Sequence, residues 1–169
     1  RMIVTWKEDV RVWHPGQEWI WEPGIGVFDP GINALSVVTA LLPALTLQQA
    51  ELRFPANKEA PIAASLAYDA AGIPVAVEFD FDQKGPQTWD IDIETDGGAL
   101  KLSLGASRMA IDGTPVDVGA EPEYAALYRR FARLLQDGQS DVDLAPFAHV
   151  ADALQSGARI TVKPFSWIE

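Results

Sequence analysis

Two side chains near the start of a predicted helix are of the types that accept protons and bind hydroxyl groups. Asp29 and Asn33 are four residues apart in "DPGINALS", so they lie on the same face of the first helical turn. An aspartate before a proline is also typical of a helix cap, and Asp29 fits that structural role. Capping does not exclude chemistry, because the helix dipole favours a charged carboxylate that can accept a proton or hydrogen bond from a substrate hydroxyl.

A second group of such residues precedes the helix. His14 comes before Pro15, which predicts extended backbone at the histidine. Glu8 lies six residues upstream on a predicted strand, and Trp13 and Trp21 flank the histidine. A lone histidine is often a surface or structural residue. Indole faces, however, cover the C–H surface of a sugar ring while carboxylate and imidazole groups bind its hydroxyls. The group therefore indicates a carbohydrate site.

Other patterns carry less information. The "GIG" at 24–26 lacks the full strand, third glycine and helix context of a dinucleotide-binding loop, so no nucleotide is expected there. The carboxylates of "EFDFDQ" and "DIDIE" alternate and so share one face of a sheet. They suggest a metal or glycosidase site or a solvated polar face, and we favour the solvated face. His149, in the middle of a predicted helix, is interpreted as structural.

The composition excludes several classes of function. A net charge of -11 argues against nucleic-acid binding, which needs clustered lysine and arginine to neutralise phosphates. No apolar run reaches the roughly 18 residues of a membrane span. The longest one, "ALSVVTALLPALTL", contains Pro43 and is predicted to be a buried helix that stops. The chain has no cysteine, which excludes thiolate nucleophiles and zinc–thiolate sites and favours the cytoplasm. No metal is expected.

Periodicity predicts the elements that position these residues. Alternation over residues 1–10 predicts a strand, and a Pro/Gly-rich stretch follows to about Gly31. The next segment is a predicted helix with Asp29 as its cap, Pro30 in its first position and Pro43 as its end. Further predicted strands cover 47–55, a hairpin over 62–81 that turns near Ala71-Gly72, a hairpin over 88–104 that turns at 96–98, and the segments 108–113 and 159–165. Further predicted helices cover 121–138 and 141–157.

This order of elements is typical of an α+β fold, with an open, mainly antiparallel β-sheet and helices packed on one face. Neither an internal repeat nor a linker is found, so residues 1–169 are predicted to form a single domain. The chain begins with Arg1 directly before a predicted strand. A fragment of a larger protein would begin in this way.

Two long segments carry a family resemblance. "WKEDVRVWHPGQEWIWEPGIGVFDPGINALS" and "GPQTWDIDIETDGGALKLSLG" resemble the C-terminal half of bacterial aldose 1-dehydrogenases of the galactose and arabinose type. These enzymes belong to the glucose–fructose oxidoreductase/inositol dehydrogenase (Gfo/Idh/MocA) family. The resemblance includes "YRRFARLL" and "SDVDLAPFAHVADAL" and so covers essentially the whole chain.

The resemblance implies a two-domain enzyme. An N-terminal Rossmann domain, absent from this chain, would hold NAD or NADP and supply a catalytic lysine. This chain would be the substrate-binding and oligomerisation domain, whose open sheet packs against another subunit in a homo-oligomer. The family's catalytic Asp-x-x-x-His/Asn pair matches Asp29 and Asn33. Its sugar-contacting positions match four residues here: Glu8, Trp13, His14 and Trp89.

Two functions are compatible with these observations. In the first, the parent protein oxidises an aldopyranose at C1 to the lactone, with Asp29 accepting the hydroxyl proton and Asn33 orienting the oxygen. The isolated chain would then be inactive without its Rossmann domain. In the second, the chain is a non-catalytic carbohydrate-binding or dimerisation domain. Both functions require a monosaccharide or protein partner, and neither involves nucleic acid or a membrane.

Overall fold

In the described part of this chain, the strands form one sheet, and two of the helices pack on one of its faces. The computed structural model describes residues 1–42, 44–119 and 123–168. Its strands are β1 (Met2–Lys7), β2 (Thr46–Pro55), β3 (Ala63–Ala70), β4 (Ile73–Asp80), β5 (Thr88–Thr95), β6 (Gly98–Ser103), β7 (Arg108–Ile111), β8 (Thr114–Val116) and β9 (Ala158–Val162). Its helices are α1 (Val10–Trp13), α2 (Phe28–Leu41), α3 (Glu123–Asp137) and α4 (Ala145–Ser156), and a 3-10 turn covers Glu18–Trp21.

The nine strands of the described residues belong to one sheet, in the order β8-β7-β6-β5-β1-β4-β3-β2-β9. The pairs β1–β4 and β2–β9 are parallel, and the other neighbouring pairs are antiparallel. Helices α2 and α4 pack on each other and on one face of the sheet, through β1 and β2. The predicted α+β class with a mainly antiparallel sheet is confirmed. No helix in the described part of the chain combines the length and apolarity needed to cross a bilayer.

The period-two pattern sorts side chains between the two faces of the sheet. Val4 of β1 lies between Val77 of β4 and Ile91 of β5, and all three are fully buried on the helix side. The predicted hairpin between β3 and β4 turns at Ala71 and Gly72, both with positive φ. The hairpin between β5 and β6 also turns where its glycines predict. Alternation and turn residues thus predict most of the sheet.

The opposite face of the sheet, called here the open face, is polar. The acidic side chains that alternate along β5 lie on it and form ion pairs. Lys101 of β6 contacts Asp90 at 2.9 Å and Asp92 at 3.1 Å. On β3 and β4, Ser65 donates a hydrogen bond to Glu78 at 2.9 Å. The prediction of a solvated polar face agrees with these contacts.

Helix α2 begins earlier than predicted. Its first residue is Phe28, so Asp29 lies inside the first turn and makes no side-chain cap bond. Pro30 is tolerated there because backbone N–H groups in the first turn have no partner within the helix. The sequence pattern alone could not show whether the helix starts at Phe28 or directly after Asp29. The helix ends at Leu41, and Pro43, the predicted stop, lies outside the described residues.

Gly31, at the end of the Pro/Gly-rich stretch and inside the predicted helix, is a helical residue of α2. A Cβ at this position would lie 2.7 Å from the Phe79 ring. Gly26 is required by a similar close approach, because a Cβ there would lie 2.3 Å from the carbonyl oxygen of Pro61. These glycines therefore serve packing between α2 and its neighbours.

The predicted first strand is too long. Strand β1 ends at Lys7, and Val10–Trp13 form the helical turn α1. The Asp9 side chain caps this turn by accepting a hydrogen bond from the Arg11 backbone N–H at 3.0 Å. Such short turns depend on contacts that periodicity does not contain.

Helix α3 is the exception among the predicted helices, because it does not pack extensively on any other described element. The apolar residues that share one of its faces are exposed: Tyr124, Leu127, Tyr128, Phe131 and Leu135. Helix α4 ends at Ser156 before Gly157, as predicted. Helices α2 and α4 therefore lie on one face of the sheet, whereas the apolar surface of α3 is uncovered.

Candidate functional site

The end of β1 is the point at which two of the predicted site residues, Glu8 and His14, come into contact. Strand β1 lies between β4, which runs parallel to it, and β5, which runs antiparallel. The chain must therefore cross the end of β1 as it passes from β4 to β5. Backbone hydrogen bonds fix this crossing: Glu8 donates to Asp80 at 2.8 Å and Val10 donates to Phe81 at 2.9 Å.

Glu8 is the central charge at this edge, with a relative exposure of only 2 %. Its Oε2 accepts a hydrogen bond from Trp6 Nε1 at 2.8 Å and another from the side-chain amide of Gln87 at 2.5 Å. Its Oε1 lies 3.3 Å from His14 Nε2. A buried carboxylate is costly unless such donors satisfy it. Glu8 is therefore a rigidly held group.

His14 lies directly after α1, and its backbone N–H donates to the carbonyl of Val10 at 2.9 Å. The predicted extended backbone is wrong in detail, because this bond holds ψ at 48° rather than in the extended range. The ring is held on both sides: Nε2 faces Glu8, and Nδ1 lies 3.4 Å from Gln17 Oε1. Its face contacts Phe81 with 5.6 Å between ring centroids. A proton on Nε2 lets the imidazole donate to Glu8.

Asp29 lies close enough to this pair to interact with its charges. Burial raises the pKa of the Asp29 carboxyl, a positive His14 acts in the opposite direction, and the negative charge of Glu8 raises the pKa further. The net shift is upward. The dipole argument of the sequence analysis included neither the burial of Asp29 nor the charge of Glu8, both of which raise this pKa. A carboxylate with a raised pKa is a better proton acceptor.

The remaining predicted residues lie around this centre. Trp89 is 9 % exposed and packs on Trp6, with ring centroids 4.9 Å apart. Trp13, next to His14 in the chain, is 52 % exposed. Asn33 is exposed one turn beyond Asp29 on α2. The structure thus brings Glu8 and His14 into contact and leaves Trp13 and Asn33 with free polar or aromatic surface.

The other tryptophans of the turning segment have structural surroundings. Trp21, which the sequence placed beside His14, is buried and packs on Phe165 at a centroid distance of 4.5 Å. Phe165 is itself fixed by both side-chain atoms of Asn57, at 2.8 and 2.9 Å. Trp19 borders a separate cavity described next.

A cavity of about 310 Å³ lies between α2 and α4. Its lining is mostly apolar, and Asp29 is the one predicted site residue that borders it: the full lining is Trp19, Gly24, Ile25, Phe28, Asp29, Ile32, Phe147 and Val150. Sugar sites need several polar groups for the hydroxyls. We therefore assign the candidate site to the Glu8–His14 side of Asp29 and not to this cavity.

Two residues of the site were missed by the sequence analysis. Trp6 shares a face with Glu8 two residues later in an alternating strand, so the pattern contained the signal. Gln87 lies in a loop and meets Glu8 only because β4 and β5 flank β1. Among the described residues, no group of three or more histidine, aspartate or glutamate side chains is arranged to hold a metal ion.

Comparisons with known proteins give a consistent family. No family model matches the chain. The chain is 51 % identical over 164 residues to a galactose 1-dehydrogenase of Pseudomonas fluorescens, covering 96 % of this chain and 54 % of that protein. The crystal structure of a D-galactose-1-dehydrogenase from Rhizobium etli superposes with a TM-score of 0.92 at 52 % identity, covering 98 % of this chain and 54 % of that one.

More distant structures share the fold alone. The 3-ketoreductase KijD10 of Actinomadura kijaniata, solved with TDP-benzene and NADP, has a TM-score of 0.72 at 15 % identity and covers 95 % of this chain and 53 % of that one. This chain thus spans about half the length of the relatives it matches. It belongs to the galactose 1-dehydrogenase family of Gfo/Idh/MocA-type oxidoreductases, and it corresponds to their C-terminal part.

Proposed function

We propose that this chain is the substrate domain of an NAD(P)-dependent aldose 1-dehydrogenase that oxidises a galactose-type pyranose at C1 to the lactone. The observation that carries the proposal is the half-buried Asp29 carboxylate, with a raised pKa, beside the Glu8–His14 pair. The identity to two galactose 1-dehydrogenases supports the same substrate class. Residues 1–169 act as one domain of a larger protein.

Asp29 and Asn33 are assigned to the reacting carbon. Oxidation at C1 removes a proton from the hydroxyl and a hydride from the carbon. Asp29 accepts the proton, directly or together with a lysine of the preceding domain, and the raised pKa suits this role. Asn33, one turn away on α2, orients the same oxygen through its amide. A nicotinamide cofactor, which a domain outside this chain would hold, would supply the hydride acceptor.

The other residues are assigned to the sugar. Glu8 and His14 are assigned to further hydroxyls, and Trp13 and Trp89 to the ring's C–H surface, for which Trp13 offers the larger exposed area at 52 %. Such positioning accounts for a large part of the rate enhancement in hydride transfer, because the donor carbon must approach the nicotinamide closely. This chain without the cofactor domain is expected to be inactive.

Replacing Asp29 tests the assignment. In the full-length protein, Asp29→Ala is expected to lower kcat for galactose oxidation by about 100-fold or more, because the proton acceptor is lost. The assay follows NAD(P)H absorbance and identifies the lactone by mass spectrometry. Asp96→Ala, at an exposed turn, is the matched control and keeps wild-type kcat. A wild-type kcat in the Asp29 variant contradicts its role, and a wild-type protein without activity contradicts the function itself.

The second function, a non-catalytic carbohydrate-binding or dimerisation domain, gains some support from the wide open face of the sheet. It predicts that the full-length protein binds galactose in calorimetry yet forms no NAD(P)H. It also predicts no effect of cofactor on sugar affinity. The dehydrogenase function instead predicts that NAD(P)H forms when galactose and the oxidised cofactor are both present.

A further inference from the structure

The loop between β4 and β5 crosses the end of β1 and contributes one side chain, that of Gln87, to the candidate site. Gln83 stiffens this loop, since its amide donates to the Pro86 carbonyl at 2.6 Å and to Thr88 Oγ1 at 3.3 Å. Gln87 follows Pro86 and directs its own amide at Glu8 Oε2. The loop is therefore a fixed support for Gln87.

The Glu8 carboxylate has its rotation determined by two donors on one oxygen. Trp6 Nε1 and the Gln87 amide both donate to Oε2. Trp6 is itself held by its contact with Trp89. With Oε2 occupied, the geometry leaves Oε1 to face His14 Nε2 at 3.3 Å. Without the Gln87 amide, Trp6 is the one remaining side-chain donor described on Oε2, so the orientation of the carboxylate toward His14 is less constrained.

We propose that Gln87 is a positioning residue of the sugar site, which acts by holding Glu8 in the orientation that fixes His14. The inference rests on the proposed function, because it assigns Glu8 and His14 to substrate binding. It makes the β4–β5 loop a determinant of sugar affinity, although Gln87 is not placed in contact with the sugar.

A glutamine suits this position because its amide donates without adding charge. A lysine would also hold Glu8, but its positive charge would offset the negative charge that acts on Asp29. A glutamate could not donate when ionised and would repel Glu8. The neutral donor thus orients the carboxylate and preserves the charge balance around Asp29.

A double-mutant cycle in the full-length protein tests this inference. The variants are Gln87→Met, which has similar length but no donor, Glu8→Gln and the combination. Loss of a hydrogen bond to a charged group predicts a KM for galactose raised by about tenfold in Gln87→Met, with kcat reduced less. In the Glu8→Gln background, Gln87→Met is expected to change KM by less than about twofold, because the group it positions is already altered.

Gln155→Met, on the exposed surface of α4, is the control and keeps wild-type KM. Gln87→Glu carries the same prediction and replaces Gln87→Met if that variant does not fold. An unchanged KM in both folded Gln87 variants overturns the inference, as does an equal rise in the two backgrounds.

The imidazole spectrum separates this inference from the proposed function. Nitrogen-15 NMR of the His14 ring, assigned by its loss in His14→Gln, is expected to shift in Gln87→Met and not in Gln155→Met. If wild-type protein does not oxidise galactose, the proposed function fails, but this signal still decides whether Gln87 positions His14. An unshifted ring signal overturns the positioning role.

Discussion

At the scale of single residues, the candidate site depends on the charge interactions among three ionisable groups in a partly buried region. Glu8 is buried, and both of its carboxylate oxygens have polar partners. His14 lies between two side-chain oxygens, and Asp29 has a raised pKa. Burial alone would raise the pKa of Asp29, and Glu8 adds to this while His14 opposes it. Asp29 must be ionised to accept a proton, so the pH dependence of the proposed reaction follows the pKa of Asp29. Because the charge of Glu8 raises that pKa, the pH dependence also reports on this charge.

Removing the Glu8 charge is expected to change the pH profile in a defined direction. In Glu8→Gln the pKa of Asp29 falls, because a negative neighbour that raises it is lost. Activity disappears as pH falls through the Asp29 pKa, so the acid limb of kcat/KM moves to lower pH. The measurement is kcat/KM against pH for the full-length protein, with the exposed Glu22→Gln as control. A limb that stays in place or moves to higher pH contradicts the coupling.

Residue types near the site were predictable, whereas their partners were not. Glu8, His14 and Asp29 were found from their chemistry and spacing, and the structure brings them within electrostatic reach. The burial that raises the Asp29 pKa was not predicted, because one sequence shows the helix start but not the packing around it. Gln87 was missed since only the strand order places it on Glu8.

At the scale of elements, the sequence pattern predicts structure that depends on neighbouring residues. It fails where the structure depends on contacts between distant segments. Both hairpins are found because their alternation and turn glycines are local. The parallel pairing of β1 with β4 joins segments about 70 residues apart and has no local signature. The helical turn α1 exists because Val10 and Glu8 bond to the end of β4.

The packing of α2 on β4 supplies a prediction at this scale. In Gly31→Ala the new Cβ would lie 2.7 Å from the Phe79 ring, so helix and strand must separate. Overpacking of this kind costs about 1–3 kcal/mol of unfolding free energy. Denaturant unfolding of the purified chain measures it. Gly97→Ala is a suitable comparison, because its Cβ meets only Thr95 Oγ1 at 3.6 Å. Equal stability of the two variants would show that α2 tolerates the extra atom.

At the scale of the whole molecule, two surfaces of different character are uncovered. The family resemblance implied that the open sheet packs against another subunit, and this open face carries charges and small residues. Ala67 and Ala76 pair in register near its centre, in a shallow depression of about 320 Å³ bordered by Glu51, Arg53 and Glu78. Small side chains there allow another sheet to approach closely. The apolar surface lies instead on α3.

Association through the open face remains our prediction for the full-length protein. Ala76→Arg places a long charged side chain in the depression and is expected to convert an oligomer to a smaller species, with secondary structure unchanged. Size-exclusion chromatography with light scattering measures the mass. Ala40→Arg, on the exposed side of α2, is the control and keeps the wild-type mass. A monomeric wild type, or an Ala76→Arg variant of unchanged mass, removes the open face as the interface.

The crossing of the β4–β5 loop over the end of β1 also determines how this domain can diverge. The loop joins two strands that both pair with β1, so the ladder on each side fixes their register whatever the loop contains. Insertions or exchanges between Phe81 and Gln87 therefore alter the environment of Glu8 without shifting a strand. For the proposed dehydrogenase, we therefore expect changes in this segment to alter sugar preference while the register of the flanking strands stays unchanged.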